Sequence, residues 1–255
     1  IIDYDTFFSN YNDHVFVEKI PCHITERHNS ECGPILIDLD FRYEIKNENI
    51  ERKYTNLFIE EFIKIYMKHL NKYLLSCDSS NKKIFVLEIP KTIIVNNKNI
   101  IKDGIHIVLP FIITCPSLQY QIRKDILLDD HYVQLVTKLN CTNTIDDIFD
   151  RSVIAQNGWF LYGSSKPNRI PYKLSTIYLY NENKLTKIKN EYTNKELIKI
   201  LSIRNKQVNV LYDNFRITVK KMINSKETDR KDIKKLINLL SSDRAEDYNK
   251  WISIG

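Results

Sequence analysis

The sequence predicts an α+β fold, with a mixed or antiparallel central sheet covered by helices. Three observations support this class. Short apolar runs with strand character recur along the chain, segments with helical spacing lie between them, and strand and helix do not alternate strictly. The 255 residues, of which 43% are hydrophobic, suffice for one large domain or two closely packed subdomains.

The strands are predicted from short runs rich in β-branched and aromatic residues. They cover residues 14–18, 34–43, 84–89, 105–113, 153–155, 159–162 and 174–180. The polar turn 96–99 between apolar residues 92–95 and 100–101 predicts a hairpin. The helices are predicted from apolar residues that recur at helical spacing. They cover residues 51–76, 119–139, 194–203, 229–240 and 243 to the end.

The bulk composition limits the classes of partner. Lys and Arg number 38 and Asp and Glu number 32, so the net charge of +6 permits a polyanionic partner without requiring one. The five cysteines are odd in number and dispersed, which favours a reducing, intracellular compartment over a disulfide framework. No apolar run approaches the roughly 20 residues of a membrane span, so no membrane partner is predicted. Without an initiator Met or a signal peptide, the chain is expected to be part of a longer protein.

Two cysteines and two histidines lie close together near the N-terminus. Cys22, His23, His28 and Cys32 are residue types that bind zinc, but their spacing matches no standard zinc finger. A polar loop with two ordinary cysteines is the favoured interpretation, and a zinc site is the alternative.

The segment from 34 to 43 ends in a pair of acids. Asp38 and Asp40 are two residues apart, so on a strand their carboxylates share one face. At an effective dielectric constant of about 20, two such charges roughly 4 Å apart repel by about 4 kcal/mol. A partly buried pair must therefore share a proton or bind a cation, and oxygen ligands favour Mg²⁺ or Mn²⁺. A solvated strand end remains the alternative.

A second candidate segment surrounds His106. Lys102, Gly104 and His106 alternate along a predicted strand and therefore share a face. The bare backbone at Gly104 allows close approach of a ligand, so the three residues together suit a triphosphate. For His106 alone, an ordinary core histidine is the favoured alternative.

A third segment begins at Asp150. This acid could complete a metal site with Asp38 and Asp40. Further along, the turn Gly163-Ser164-Ser165-Lys166 offers backbone N–H groups, two hydroxyls and a cation to phosphate oxygens. A plain hairpin with a polar tip is the alternative interpretation of that turn.

In this order, the three segments resemble the archaeo-eukaryotic primase (AEP) superfamily. The similarity is to its primase-polymerase branch and to the primase domain of D5-type helicase-primases of large DNA viruses. It covers about residues 14–180, and its most specific part is DRSVIAQNGWFLYGSSKPN, from Asp150 to Asn168. The final RAEDYNKWISIG is similar to the start of the small helical domain that joins such primases to a helicase.

The resemblance implies an AEP catalytic domain over residues 1–222, with an RRM-like core, and a helical linker over 223–255. It implies a nucleotidyltransferase that synthesises primers on single-stranded DNA, with two Mg²⁺ or Mn²⁺ ions and NTP or dNTP substrates. The implied metal ligands are Asp38, Asp40 and Asp150. The implied nucleotide-binding residues are Lys102, Gly104, His106, Asn157, Ser164, Ser165 and Lys166. Arg42 and Arg169 are candidates for contacts with phosphate or template.

The resemblance further implies a fused C-terminal helicase, with a hexamer as a possible assembly of the full-length protein, and a viral protein at replication sites in the host cytoplasm or nucleus. One departure concerns Gly104, where the family often has Ser, so a hydroxyl contact to phosphate is lost or replaced by backbone. The cation that meets the triphosphate is left open among Arg42, Lys102, Lys166 and Arg169.

Two other functions are compatible with the same residues. A primase fold that has lost most of its catalysis could serve a helicase as a DNA-binding module, although the presence of all three acids argues against this. A metal-dependent nuclease could use the same ions, but the Lys, His and Ser-Ser-Lys set favours synthesis over cleavage.

Overall fold

The computed structural model describes residues 3–29, 31–45, 51–74, 82–90, 92–95 and 100–204, all within one compact unit, Ile1–Tyr212. The predicted boundary at residue 222, the linker, the two final helices and the turn 96–99 lie outside the described residues. No helix in the described part of the chain is both long and apolar enough to cross a bilayer.

The described strands are β1 (Thr25–Glu26), β2 (Gly33–Glu44), β3 (Lys83–Glu88), β4 (Ile93–Val95), β5 (Ile100–Thr114), β6 (Trp159–Phe160), β7 (Lys173–Asn181) and β8 (Lys184–Ile188). The described helices are α1 (Tyr4–Asn12), α2 (Asn56–Leu70), α3 (Pro116–Leu127), α4 (Asp130–Thr137), α5 (Ile145–Ile148) and α6 (Asn194–Leu201). A π-helical turn, Asp13–Val17, follows α1.

The main sheet has the strand order β2-β5-β3-β7-β8, and β4 pairs with β5. β1 and β6 form a separate two-stranded ribbon. All these pairings are antiparallel, so the predicted α+β class with an antiparallel sheet is confirmed, as is the hairpin between β4 and β5. The sequence prediction missed β8. Its turn has positive φ at Glu182 and Asn183, which is typical of a two-residue hairpin.

One face of β2 is buried and the other carries the acids. The buried residues are Ile35, Ile37, Leu39, Phe41 and Tyr43, each at most 1% exposed. The Phe41 ring packs edge-on against Phe58 of α2, at 5.6 Å between centroids. A shift of one residue in β2 would move these side chains out of the core and the acids into it, so burial fixes the register.

The predicted strand at 14–18 is wrong, because these residues form the π-helical turn that continues α1. The sequence signal for a helix was present, since Asp3 caps α1 and Phe7, Tyr11 and Val15 recur every four residues. Val15 packs with Phe8, Tyr11 and Leu161 in a small apolar cluster.

The single helix predicted over 119–139 is two helices, α3 and α4. The break follows Leu128, because the side chain of Asp129 accepts the backbone N–H of His131 and so begins a new helix. Of the strand–turn–strand predicted over 153–162, only residues 159–160 form a strand. Residues 151–157 form turns, and the two-residue strand β6 pairs with β1 instead.

Candidate active site on the β2–β5 face

The pairing of β2 with β5 assembles two of the three candidate segments. Asp38 lies directly opposite His106, and Asp40 lies opposite Gly104. Directly opposed residues share a face of the sheet, and Lys102 lies on the same face of β5. The predicted placement of the two acids on one strand face is confirmed, and the strand pairing brings the other three residues to that face.

Asp150 joins this face from the free edge of β2. Its backbone N–H donates to the carbonyl of Asp38 at 3.0 Å, and Phe149 forms a β-bridge with Leu39. The buried Arg123 fixes this segment, because its Nε donates to the Phe149 carbonyl at 2.7 Å. The third acid is thus held beside the first, although 112 residues separate them in sequence (150 − 38).

A cavity of about 570 Å³ opens over this face. Of the predicted site residues, it is lined by Asp38, Asp40, Lys102, His106, Asp150, Asn157, Ser164, Ser165, Lys166 and Arg169. Gly104 lies beneath the ring of Tyr172, and Arg42 lies on the acid-bearing face of β2 but is not among the lining residues. The tertiary structure therefore gathers nearly all predicted site residues around one cavity.

Asp38 is the most unusual group of the cavity. Its side chain is 14% exposed, and its Oδ1 is buried without a hydrogen-bond partner. Burial, followed by the negative charges of Asp40 and Asp150, holds the pKa of Asp38 well above its ordinary value. An unsatisfied carboxylate oxygen beside two further acids is the arrangement that a cation would relieve.

The other two acids have partners of their own. Lys102 Nζ lies 3.3 Å from Asp40 Oδ2. Ser152 donates to both oxygens of Asp150, from its N–H at 2.8 Å and from its hydroxyl at 2.7 Å. Asn157 donates to that hydroxyl at 2.6 Å and so supports Asp150 through Ser152.

In this arrangement the acids do not converge on a common point. Across the described ranges, no group of three or more His, Cys, Asp or Glu side chains is arranged to hold a metal ion. The donor chemistry still fits a hard divalent cation, because the acids supply only oxygen ligands and Asp38 has one without a partner. A cation at Asp40 would compete with Lys102 for this carboxylate.

His106 is enclosed by aromatic rings. Its ring stacks on Tyr172 with centroids 3.6 Å apart and an interplanar angle of 11°, and Trp159 lies 4.5 Å away. Burial lowers the pKa of His106 to about 3, so the imidazole is neutral at pH 7. His106 Nε2 is 3.6 Å from Asp38 Oδ1, too far for a hydrogen bond, and with the pKa values shifted in this way the two groups are not an ion pair.

The Ser-Ser-Lys turn is tied to the N-terminal part of the chain. The Ser164 hydroxyl is 2.8 Å from the Tyr11 hydroxyl and accepts the backbone N–H of Ile24, so it is already used in the fold. The Ser165 hydroxyl donates to the Arg169 carbonyl at 2.7 Å. Lys166 and Arg169 are exposed, which leaves their cationic groups accessible at the cavity.

The two histidines considered as zinc ligands each hydrogen-bond to a backbone carbonyl of the segment 157–165. His23 Nδ1 donates to the Ser165 carbonyl at 2.7 Å, and His28 Nε2 donates to the Asn157 carbonyl at 2.8 Å. They therefore brace one wall of the cavity. Cys22 and Cys32 are both thiols.

A buried ionic network supports β5 from the opposite side of the sheet. Arg52 donates to both oxygens of Asp103 at 2.9 Å and to Glu88 at 2.7 Å. The hydroxyl of Tyr54 donates to Glu88 at 3.0 Å and lies 3.4 Å from the Gly104 carbonyl. This network holds the backbone of β5 between the two candidate residues Lys102 and His106.

The family comparison covers the part of the chain that holds this site. The model of the family described as "C962R protein N-terminal AEP domain" matches residues 2–178, which contain the acids, the face of β5 and the turn at 163–166. The chain belongs to this AEP family.

The relatives of this AEP chain are viral proteins. "Putative helicase L207/L206" of Acanthamoeba polyphaga mimivirus is 35% identical over 179 residues, covering 70% of the chain and 18% of the relative. "Putative helicase 184R" of Invertebrate iridescent virus 6 is 25% identical over 283 residues, covering 88% and 28%. "Putative helicase 121R" of Invertebrate iridescent virus 3 is 24% identical over 305 residues, covering 98% and 30%. The chain therefore spans less than a third of the length of these relatives.

Three residues of the AEP site were missed by sequence reasoning. Ser152 follows Asp150 by two positions, a spacing at which an Asp side chain commonly accepts a backbone N–H, so that signal was available. Trp159 lies inside the motif but was given no role. Tyr172 has no local sequence signal, because only the tertiary fold places it over Gly104.

Proposed function

We propose that this AEP domain is a primase or primase-polymerase that joins nucleotides on a single-stranded DNA template. The observation that carries the proposal is the buried oxygen without a partner on Asp38, a residue that lines one cavity together with Asp40 and Asp150. Together with the family membership, it supports a cation-dependent transferase. Further support comes from the accessible cations around the same cavity.

The proposed reaction is attack of a 3′-hydroxyl on the α-phosphate of an incoming nucleotide. A bond forms between the 3′-oxygen and phosphorus, the bond to the bridging oxygen breaks, and pyrophosphate leaves while the hydroxyl loses its proton. Two Mg²⁺ or Mn²⁺ ions held by the three acids would lower the pKa of the hydroxyl and offset the charge of the leaving group.

The remaining groups of the cavity would bind and orient the nucleotide. Lys102 is 40% exposed and would be released from Asp40 once a cation replaces it, so it becomes available to phosphate. Lys166 and Arg169 add exposed positive charge at the cavity. The neutral His106 can contribute a hydrogen bond but no charge. Groups that recognise a polyphosphate favour synthesis over cleavage of DNA.

The fusion to a helicase is part of the same proposal. The three relatives are all named helicases. Each is more than three times as long as its own segment that matches this chain. We infer that a viral helicase-primase contains this domain and acts at replication sites within the host cell. Among the described residues, no structural feature defines its assembly.

The experiment is a primer-synthesis assay with single-stranded DNA, labelled nucleotides and either Mn²⁺ or Mg²⁺. The wild-type chain is expected to produce new oligonucleotides. The Asp40→Asn variant is expected to lose at least about 100-fold in rate, because one of the carboxylates that would hold the ions is removed. The exposed Asp130→Asn serves as the control, since it makes the same chemical change on α4, away from the cavity.

The other outcomes separate the alternatives. Shortening of the template without new product would indicate a nuclease. A gel shift of the template with neither product would indicate a DNA-binding module of a helicase. Equal synthesis by the Asp40→Asn and wild-type chains would show that the acids do not form the catalytic metal site.

A further inference from the structure

Tyr172 covers the floor of the cavity but has no part in the reaction described above. It lies immediately before β7, and its ring stacks on His106 at 3.6 Å between centroids. It lines the same cavity as Asp38 and Asp40. Its position therefore places an aromatic ring and a hydroxyl beside the acids.

The absence of a side chain at Gly104 makes room for the Tyr172 hydroxyl. A Cβ built on Gly104 would come within 2.4 Å of Tyr172 Oη and 3.3 Å of the Leu39 carbonyl. Real Cβ atoms do not approach an oxygen so closely, so glycine at 104 and tyrosine at 172 depend on each other. The hydroxyl occupies the place on β5, opposite Asp40, that a side chain at 104 would take.

Among the residues that the structure describes, the Tyr172 hydroxyl is a hydrogen-bond donor without an acceptor. Burial, followed by the charges of Asp38, Asp40 and Asp103, holds the pKa of Tyr172 well above its ordinary value. The phenol therefore keeps its proton at neutral pH. Within the part of the chain that the structure describes, the Tyr172 hydroxyl makes no hydrogen bond. The Tyr172 ring itself stacks on His106.

We propose that the Tyr172 hydroxyl donates a hydrogen bond to the polyphosphate of the incoming nucleotide. This inference rests on the proposed function and assigns a further substrate-binding residue to it. Phosphate is the favoured acceptor because the hydroxyl lies beside the acids and Lys102, the end of the cavity where cations and a polyphosphate would meet. The ring fixes the hydroxyl by stacking on His106, so the donor is oriented before the nucleotide binds.

The test removes the hydroxyl and keeps the ring. In the Tyr172→Phe variant the stack on His106 is preserved, so the loss is confined to one hydrogen bond to a charged acceptor. The dissociation constant for ATP or dATP with Mn²⁺ is expected to rise about 10- to 100-fold. Titrations followed by tryptophan fluorescence report binding directly, because Trp159 lies 4.5 Å from His106. In the synthesis assay KM is expected to rise by the same factor, with kcat nearly unchanged.

A second variant returns a hydroxyl from the opposite side. In the double variant Gly104→Ser/Tyr172→Phe, the contact at 2.4 Å disappears with Oη, and the new Cβ lies 3.4 Å from the ring carbon that carried it. The serine hydroxyl, one bond beyond this Cβ, returns a donor to the same part of the cavity, in van der Waals contact with the phenylalanine ring. The double variant is expected to recover most of the lost affinity. Gly104→Ser alone is expected to unfold at lower denaturant, because Tyr172 must move.

Tyr180→Phe is the matched control. Tyr180 does not line the cavity, and its hydroxyl donates to Asn183 in the turn that follows β7. It is expected to bind nucleotide as the wild type does. Wild-type affinity in the Tyr172→Phe variant would overturn the proposal. So would a loss that the double variant fails to recover, because the loss would then come from altered packing. A wild-type chain that binds nucleotide but makes no product would contradict the proposed function. The effect of Tyr172→Phe on nucleotide binding could still be measured in that case.

Discussion

Asp38→Asn is expected to make the cation-free protein more stable while it abolishes synthesis. The carboxylate is 14% exposed, has an oxygen without a partner and lies beside Asp40 and Asp150. The asparagine side chain has nearly the same shape and no charge. The substitution therefore removes the electrostatic cost of the site and leaves its packing in place.

The magnitude follows from the direction of the pKa shift. Above pH of about 3.9 the unfolded chain ionises Asp38, whereas burial and the neighbouring acids hold the pKa of the folded group well above that value. Folding then takes up a proton, so stability is lost as the pH rises, by at most about 1.4 kcal/mol per pH unit. Between pH 4 and 7 the limit is about 4 kcal/mol. Since the buried amide also lacks partners, a net gain of about 1–3 kcal/mol is expected at pH 7.

The assay is urea unfolding of both chains at pH 4 and pH 7, with EDTA and then with Mn²⁺. The gain from Asp38→Asn is expected at pH 7 and should be largely lost at pH 4, where the folded state carries the proton and about half of the unfolded chains carry it. Mn²⁺ at 100 times its dissociation constant should add about 2.7 kcal/mol to the wild type. It should add much less to the variant, which lacks one of the carboxylate ligands.

Two results would refute this reasoning. If the variant is no more stable than the wild type at pH 7 without cations, Asp38 is not strained by burial and by its neighbours. If Mn²⁺ stabilises both chains equally, the ion binds elsewhere. Asp130→Asn controls for the loss of one negative charge, because Asp130 is exposed on α4.

Three further predictions concern the surroundings of the site. Burial lowers the pKa of His106 to about 3, so the unfolded chain alone takes up this proton as the pH falls below about 6.5. The contribution of His106 to stability should therefore fall by up to about 1.4 kcal/mol per unit as the pH falls from 6 to 4, opposite in sign to that of Asp38. The stability difference between His106→Gln and the wild type, measured by urea unfolding, should shift toward the variant by the same slope. Ser164→Ala should cost about 1–3 kcal/mol of stability, because the Tyr11 hydroxyl and the Ile24 N–H lose a buried partner, whereas nucleotide affinity should change little. Arg52→Met should cost about 3–5 kcal/mol in the same measurement, because it leaves the buried Asp103 unpaired, and a loss below 1 kcal/mol would contradict that role.

Much of the fold could be predicted from periodicity. The strands predicted over 34–43, 84–89, 105–113 and 174–180 form, because their apolar residues repeat at the period of the element. The helix predicted over 194–203 also forms, and the helix predicted over 51–76 forms as the shorter α2. The errors fall where the local pattern was ambiguous. Val15 and Val17 suggested a strand. The residues form a helical turn because, in that conformation, Val15 packs with the apolar face of α1 against Leu161. Asp129 ended one helix and began the next through a single side-chain contact.

The candidate site shows the same division. The sequence supplied the residue types and their order, and alternation along a strand placed Asp38 beside Asp40. Strand pairing alone brought His106 and Lys102 to that face, because register between β2 and β5 depends on contacts across the whole sheet. The charge and the hydrogen-bond partners of the site residues also depend on the tertiary structure. Burial keeps His106 neutral, and the hydroxyl of Ser164 forms a hydrogen bond with the hydroxyl of Tyr11.

By itself, the sequence determined the α+β class, the acidic pair on one strand face and the resemblance to AEP domains. These three features depend on local periodicity and on residue order, and both can be read directly from the sequence. The tertiary structure decided that Asp150 lies beside Asp38, that one oxygen of Asp38 has no partner, and that Tyr172 fills the space over Gly104. Each of these depends on residues far apart in sequence that meet only when the sheet and its helices pack together.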